Sequence, residues 1–274
     1  MQRNALGRLP IPYDPLGFPE VVYLYYPDLK KACTGTLLSS TWVLTAAHCI
    51  EYDFDGTGKK PLEMWVTLHR HEVERHNPGT SAPTLFSKAK NFHPHPMYEG
   101  NKGLPQETKF DVALIELETG IKVAHYAVIG KTQKSKILGT VAGFGPNLAD
   151  KVNPSFELDV GWSRVDIEID TVLWKPIGII NGTETSSLPC PADSGGPIYQ
   201  LFKNDGAEFD DRIGQGYKDE PRRIIALVSK SRKYENEKGG LKSGKCSLYS
   251  EIEGPILETH RPWICETSKT CTVS

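Results

Sequence analysis

The chain has 274 residues, with 32 Lys and Arg against 34 Asp and Glu and a formal net charge of −2. That near-neutral balance excludes the basic footprint of a nucleic-acid binder, and no uncharged apolar run approaches the ~18 residues that would span a membrane. Apolar residues are 38% and charged residues 24%, the balance of a folded globular chain rather than a disordered one. At roughly 150 residues per domain the length suits one large domain or two small ones. Glycine (25) and proline (20) together exceed a usual share of ~12%, which favours many turns and short strands over a helical bundle.

Short runs rich in Val, Ile, Tyr and Leu recur between turn residues. They are Val21–Tyr26, Thr36–Leu38, Trp42–Ala46, Met64–Leu68, Val112–Leu117, Ile137–Ala142, Arg164–Ile169, Ile198–Phe202 and Ile224–Val228. This spacing predicts an all-β sandwich or barrel. The polar stretches Glu51–Lys60, Glu99–Lys109 and Ser229–Lys245 predict solvated loops, and Glu118–Lys136 a connection between two halves. Gly254–Cys265 predicts a C-terminal helix, whose second half Pro262 would kink or end.

Six cysteines are spread along the chain: Cys33, Cys49, Cys190, Cys246, Cys265 and Cys271. Their spacing is wrong for a zinc module, and the even count leaves disulfides and buried thiols equally open. Asn181-Gly182-Thr183 is a glycosylation sequon, whereas Asn153-Pro154-Ser155 is blocked by its proline. Met1–Arg8 lacks the apolar core of a signal peptide, so export requires a leader already removed or another route. The histidines His69, His71 and His76, and the pair His93 and His95, are expected in surface or turn roles rather than as metal ligands. Glu72 and Glu74 sit in no dense run of carboxylates that would hold calcium.

Three segments carry chemistry: Thr45-Ala-Ala-His48-Cys49, Asp111-Val-Ala-Leu-Ile-Glu-Leu117 and Asp193-Ser194-Gly195-Gly196-Pro197. A serine hydroxyl is a poor nucleophile until an imidazole takes its proton, and the imidazole needs a fixed acceptor on its other nitrogen. In this order and with these flanks the chain resembles the chymotrypsin/trypsin family of serine endopeptidases, from about Phe18-Pro19 to Trp263-Ile264. An α/β-hydrolase would need G-x-S-x-G and the reverse residue order.

The resemblance implies two six-stranded antiparallel β-barrels and a short C-terminal helix, with residues 1–125 carrying His48 and Asp111 and residues 126–274 carrying Ser194. It implies His48 as general base, Asp111 as its orienting acceptor, Ser194 as nucleophile, and the N–H groups of Ala192 and Ser194 as the oxyanion hole. It also implies disulfides Cys33–Cys49 and Cys190–Cys246, while Cys265 and Cys271 are left without a family partner. The expected activity is secreted, cofactor-free hydrolysis of peptide bonds in protein or peptide substrates, with a protein inhibitor as a further class of partner. No metal, nucleic acid or membrane is implied.

Three departures qualify the likeness. Ala192 stands where the family has glycine, so a turn needing φ > 0 would carry the cost of a Cβ. No cleavage end of the family's type precedes β-rich sequence near Arg8–Leu9, so Asp193 is expected to find another cation or N–H partner. Leu188 stands at the floor of the specificity pocket and Ser229, Lys230 and Ser231 along its wall, which disfavours cleavage after Lys or Arg. These departures motivate the alternative of a weak or inactive homologue that binds a protein. The separation of 63 positions from His48 to Asp111 exceeds the family's usual gap, which predicts insertions at Tyr52–Lys60 or Thr80–Lys109.

Overall fold

The computed structural model describes residues 18–51, 63–70, 86–100, 108–132, 136–145, 158–168, 170–175, 179–180, 183–184, 192–200, 222–233 and 250–271. The first six strands are β1 (Val21–Tyr26), β2 (Lys31–Leu37), β3 (Trp42–Thr45), β4 (Trp65–Thr67), β5 (Phe86–Pro94) and β6 (Ala113–Leu117). They close into an antiparallel barrel in the order β1-β2-β3-β6-β5-β4.

β1 shows how the core is divided. Successive strand residues point to opposite faces. Val22, Leu24 and Tyr26 join Leu37, Val43, Val66 and Ile115 inside the barrel. Val21 and Tyr23 point outward into a second cluster with Leu44, Leu114, Phe144, Leu227 and Ile264. Both faces are covered, and so the run Val-Val-Tyr-Leu-Tyr-Tyr is apolar throughout rather than alternating.

The second half contains β7 (Val128–Ile129), β8 (Lys136–Gly143), β9 (Asp159–Ile167), β10 (Thr171–Lys175), β11 (Ile179–Ile180), β12 (Thr183–Glu184), β13 (Pro197–Gln200), β14 (Arg223–Leu227), β15 (Lys230–Lys233) and β16 (Ser250–Pro255). β11 and β12 pair with each other, and the other eight form one sheet ordered β15-β16-β10-β9-β8-β13-β14-β7. The sheet curls until β14 meets the end of β16 at an antiparallel bridge, Ala226 to Ile256. That brings β8, β9, β10, β16, β14 and β13 into a six-strand ring around Val141, Val165, Val172, Ile198, Ile225 and Val228. Glycine is needed at this closure: a Cβ on Gly254 would lie 1.7 Å from the Leu227 carbonyl oxygen.

Helix α1 (Leu257–Ser268) starts and ends three residues later than the sequence predicts and runs through Pro262. Proline removes one N–H from the ladder, and tertiary docking offsets that loss. Leu257, His260 and Ile264 are buried, and His260 Nε2 hydrogen-bonds the Lys109 carbonyl at 2.7 Å. A disulfide joins Cys265, near its end, to Cys271.

Other strands depart from the sequence reading. β5 was not marked by its mixed polar run, and β7 lies inside the expected connection. Lys230–Lys233 pairs with β16 although it opens the expected loop Ser229–Lys245. Strand pairing uses backbone groups, and a charged strand is at home on a sheet edge.

A buried charge ties the two halves together. Glu20, 1% exposed, accepts hydrogen bonds from the Tyr199 hydroxyl at 2.9 Å and from Arg222 Nη1 at 3.0 and 2.9 Å. The Arg222 guanidinium lies 4.1 Å above the Phe18 ring. The carboxylate leads into β1, whereas its partners sit on β13 and at the head of β14. Glu20→Gln removes the carboxylate charge from this largely buried pair, at a cost of about 3–5 kcal/mol. Urea unfolding should show that loss in the transition midpoint, and a change below ~1 kcal/mol would contradict it.

Candidate active site

His48 and Asp111 are brought together by strand register. Thr45 at the end of β3 pairs with Ala113 at the start of β6, so the residues just beyond and just before them emerge at the same barrel end. Beyond β3 the chain makes a 3-10 turn, Ala47–Cys49, and a matching turn at Thr108–Phe110 precedes Asp111. A disulfide between Cys33 on β2 and Cys49 clamps the first turn, as the family resemblance implies. Ala46 and Ala47 are fully packed, which leaves no room there for larger side chains.

The Asp111 carboxylate receives three donors. The His48 backbone N–H donates to Oδ1 at 2.8 Å, and the His48 ring lies with Nδ1 2.7 Å from Oδ2. The Ser229 hydroxyl donates to Oδ2 as well. Burial penalises the Asp111 carboxylate, but the His48 charge and these hydrogen bonds outweigh it and hold its pKa below the usual carboxylate value. Burial likewise opposes a charged His48, yet the Asp111 charge and hydrogen bond, helped by Glu51, raise its pKa above the ordinary value. This arrangement holds the ring in the tautomer that leaves Nε2 free to take a proton.

Ser194 lies on a tight turn packed against the first barrel. Its carbonyl accepts the Thr34 N–H at 2.8 Å. Cys49 Sγ lies 3.6 Å from that carbonyl oxygen and 3.7 Å from His48 Nε2, so the serine backbone and the imidazole edge flank one sulfur. Among the described residues no hydrogen bond joins the Ser194 hydroxyl to His48, a contact that commonly tightens only around substrate. Gly195, at φ 78°, donates to the Val228 carbonyl at 2.7 Å, tying the turn to the segment that carries Ser229.

Ala192 stands at φ 73°, in the left-handed region. A Cβ there costs roughly 1–2 kcal/mol. Asp193 is 1% exposed and accepts the Gly145 N–H at 2.7 Å, an N–H partner of the kind expected. A Cβ on Gly143 or Gly145 would approach its carboxylate to 2.3 or 2.6 Å, so both positions must stay bare.

Elsewhere the sequence reading and the structure differ in detail. Ser229, assigned to the pocket wall, turns its hydroxyl to Asp111, a bond that no sequence motif marked. Lys230 and Ser231 lie on β15, opposite Glu253 and Ile252. Leu188, Cys190, Cys246, Asn181, His71, Glu72, Glu74 and His76 lie outside the described residues. His95 packs against Phe110, His260 and Trp263, forming a joint between the Asp111 loop and α1. The Sγ atoms of Cys33 and Cys49 lie within 4.8 Å of a His48 nitrogen, but both are spent in their disulfide and offer no thiolate to a metal. A cleft of about 440 Å³ is lined by Ala47, Glu51, Pro94, Tyr98, Glu99 and Gly100.

The family model described as Trypsin matches residues 12–209. The chain belongs to the trypsin family. Snake venom serine protease serpentokallikrein-2 of Protobothrops mucrosquamatus is 27% identical over 194 residues, 66% of each chain. Beta-fibrinogenase mucrofibrase-1 of the same snake gives the same values. An uncharacterized peptidase of Corynebacterium glutamicum (strain R) is 26% identical over 170 residues, 62% of this chain and 50% of that one. The match thus spans just under two thirds of the venom relatives' length.

Among solved structures, HL collagenase superposes with a TM-score of 0.58 at 17% identity, covering 94% of this chain and 96% of that one. Neuropsin, a serine protease expressed in the limbic system of mouse brain, gives 0.58 at 19%, covering 93% and 96%. These two likenesses show the trypsin-like fold.

NMR titration of His48 should give a pKa above the ordinary imidazole value. Asp111→Asn removes the charge that outweighs burial, so the His48 pKa should fall below the ordinary value. An unchanged pKa in that variant would contradict the assigned balance.

Proposed function

We propose that this trypsin-family chain is a secreted serine endopeptidase acting through Ser194, His48 and Asp111. The observation that carries the reading is the two-point grip of Asp111 on His48, through its ring and its backbone N–H, beside the Ser194 turn. A binding module has no use for a histidine held in one tautomer.

In this reading the Ser194 hydroxyl attacks the scissile carbonyl and His48 Nε2 takes its proton. The N–H groups of Ala192 and Ser194 receive the negative oxygen. His48 then returns the proton to the leaving amine, and water releases the acyl group by the same steps reversed. Asp111 stays ionised throughout, steadied by Ser229. The substrate is a protein or peptide. Leu188 at the family's pocket-floor position supplies no carboxylate for Lys or Arg, so small or apolar residues are the preferred class. The cross-links Cys33–Cys49 and Cys265–Cys271 suit an oxidising, extracellular setting.

The strained Ala192 favours a second reading, a homologue that binds protein without turnover. A fluorophosphonate probe separates the two. The protease reading expects labelling of the wild type and none of Ser194→Ala or His48→Ala, and labelling that rises with pH as His48 loses its proton. Because the His48 pKa is raised, that rise should be centred above the ordinary imidazole value. A wild type no more reactive than Ser194→Ala between about pH 6 and 9 would overturn the reading in favour of the binding homologue.

A further inference from the structure

We infer that Thr34 is a positioning residue for the oxyanion turn, holding Ala192 in its left-handed conformation from the opposite barrel; this rests on the protease reading above. Thr34 lies on β2 and is fully buried. Its hydroxyl donates to the Ala192 carbonyl at 2.8 Å and accepts the Phe144 N–H at 3.1 Å. Its backbone N–H donates to the Ser194 carbonyl at 2.8 Å, and its own carbonyl accepts the Thr45 hydroxyl at 2.9 Å. One side chain and one peptide group of the first barrel therefore hold the turn at both ends.

A threonine hydroxyl has one proton to give, and here it goes to Ala192. The Phe144 N–H supplies an acceptor role in return, so the group is used in both directions. The β-branched side chain is stiff about χ1, which keeps the hydroxyl where the carbonyl needs it.

The consequence follows from the geometry of one residue. Leaving the left-handed well changes φ and ψ together, which swings the Ala192 carbonyl off the Thr34 hydroxyl and redirects the Ala192 N–H. Left to itself an alanine relaxes to negative φ, because its Cβ is crowded in the left-handed region. That rotation would take the N–H away from the position of the developing oxyanion. A buried hydrogen bond to the carbonyl is of the same order as the strain it opposes. Asp193, held by the Gly145 N–H, pins the residue that follows Ala192. A glycine at 192 would need no such hold.

The test compares Thr34→Val, Thr34→Ser, Ala192→Gly and the double variant Thr34→Val/Ala192→Gly by kcat and KM on an activated ester. Loss of a whole oxyanion donor costs ~10²–10³ in rate. Thr34→Val should therefore lower kcat about 10- to 100-fold with KM within about threefold, and Thr34→Ser should stay within about threefold of wild type. In the Ala192→Gly background the same Thr34→Val change should cost less than about threefold. An equal cost in both backgrounds, or no cost in either, would overturn the inference. Should Thr34→Val fail to fold, Thr34→Ala carries the same comparison, since water can enter and satisfy the two polar groups left behind. The crystal structure of the variant gives a readout independent of turnover: Ala192 should move to negative φ, and a retained left-handed Ala192 overturns the inference even if the wild type proves inactive.

Discussion

A carboxylate with 1% exposure sits at the seam between the two sheets, and the geometry of the reactive turn depends on it. A carboxylate buried this deeply needs a hydrogen-bond donor. The Gly145 N–H is one such donor, and it reaches the carboxylate because Gly143 and Gly145 carry no side chain. The end of β8 and the Ser194 turn thus shape each other. Asp193 fixes the middle of the turn, and beside it Ala192 stands in a conformation that an alanine avoids.

The same seam organises the rest of the molecule. It holds the apolar cluster of Tyr23, Leu44, Leu114, Phe144, Leu227 and Ile264, drawn from both halves. Several polar groups at its margin find partners across it. Asp111 has its three donors from His48 and Ser229. Glu20 has Tyr199 and Arg222, and Thr34 has Ala192, Phe144 and Ser194. Each of these groups reaches across the seam, so the two sheets are registered by directional bonds as well as by apolar packing. Hydrogen bonds in such low-dielectric surroundings are strong when made and costly when lost. This gives the site stiffness at the atoms where reaction would take place.

Local pattern made much of the first barrel legible. β1 begins and ends where its apolar run does, and β3 and β6 follow theirs within one or two residues. The flanks of His48, Asp111 and Ser194 marked the three segments that the structure draws to one region. Strands with little apolar signature were not legible. β5 carries Lys88, Lys90 and Asn91 on a partly exposed face, and β15 is a basic edge strand held by backbone pairing to β16. The late start of α1 and its passage through Pro262 reflect docking against Lys109 and the seam, which no local rule contains.

By itself the sequence determined the strand-rich class, the three motif-bearing segments and the likeness that joins them. These rest on residue type and short spacing, which are local properties. Tertiary structure decided that Ser229 serves Asp111, that Thr34 reaches Ala192, that Gly145 satisfies Asp193 and that Cys265 pairs with Cys271. Three of these are contacts between residues far apart in the chain, made by side chains whose directions follow from strand register and sheet closure. The opening balance of charge, apolar content and turn residues is compatible with many such registers. Burial of the seam favours one, in which the Glu20, Asp111 and Asp193 carboxylates and the Thr34 hydroxyl find partners.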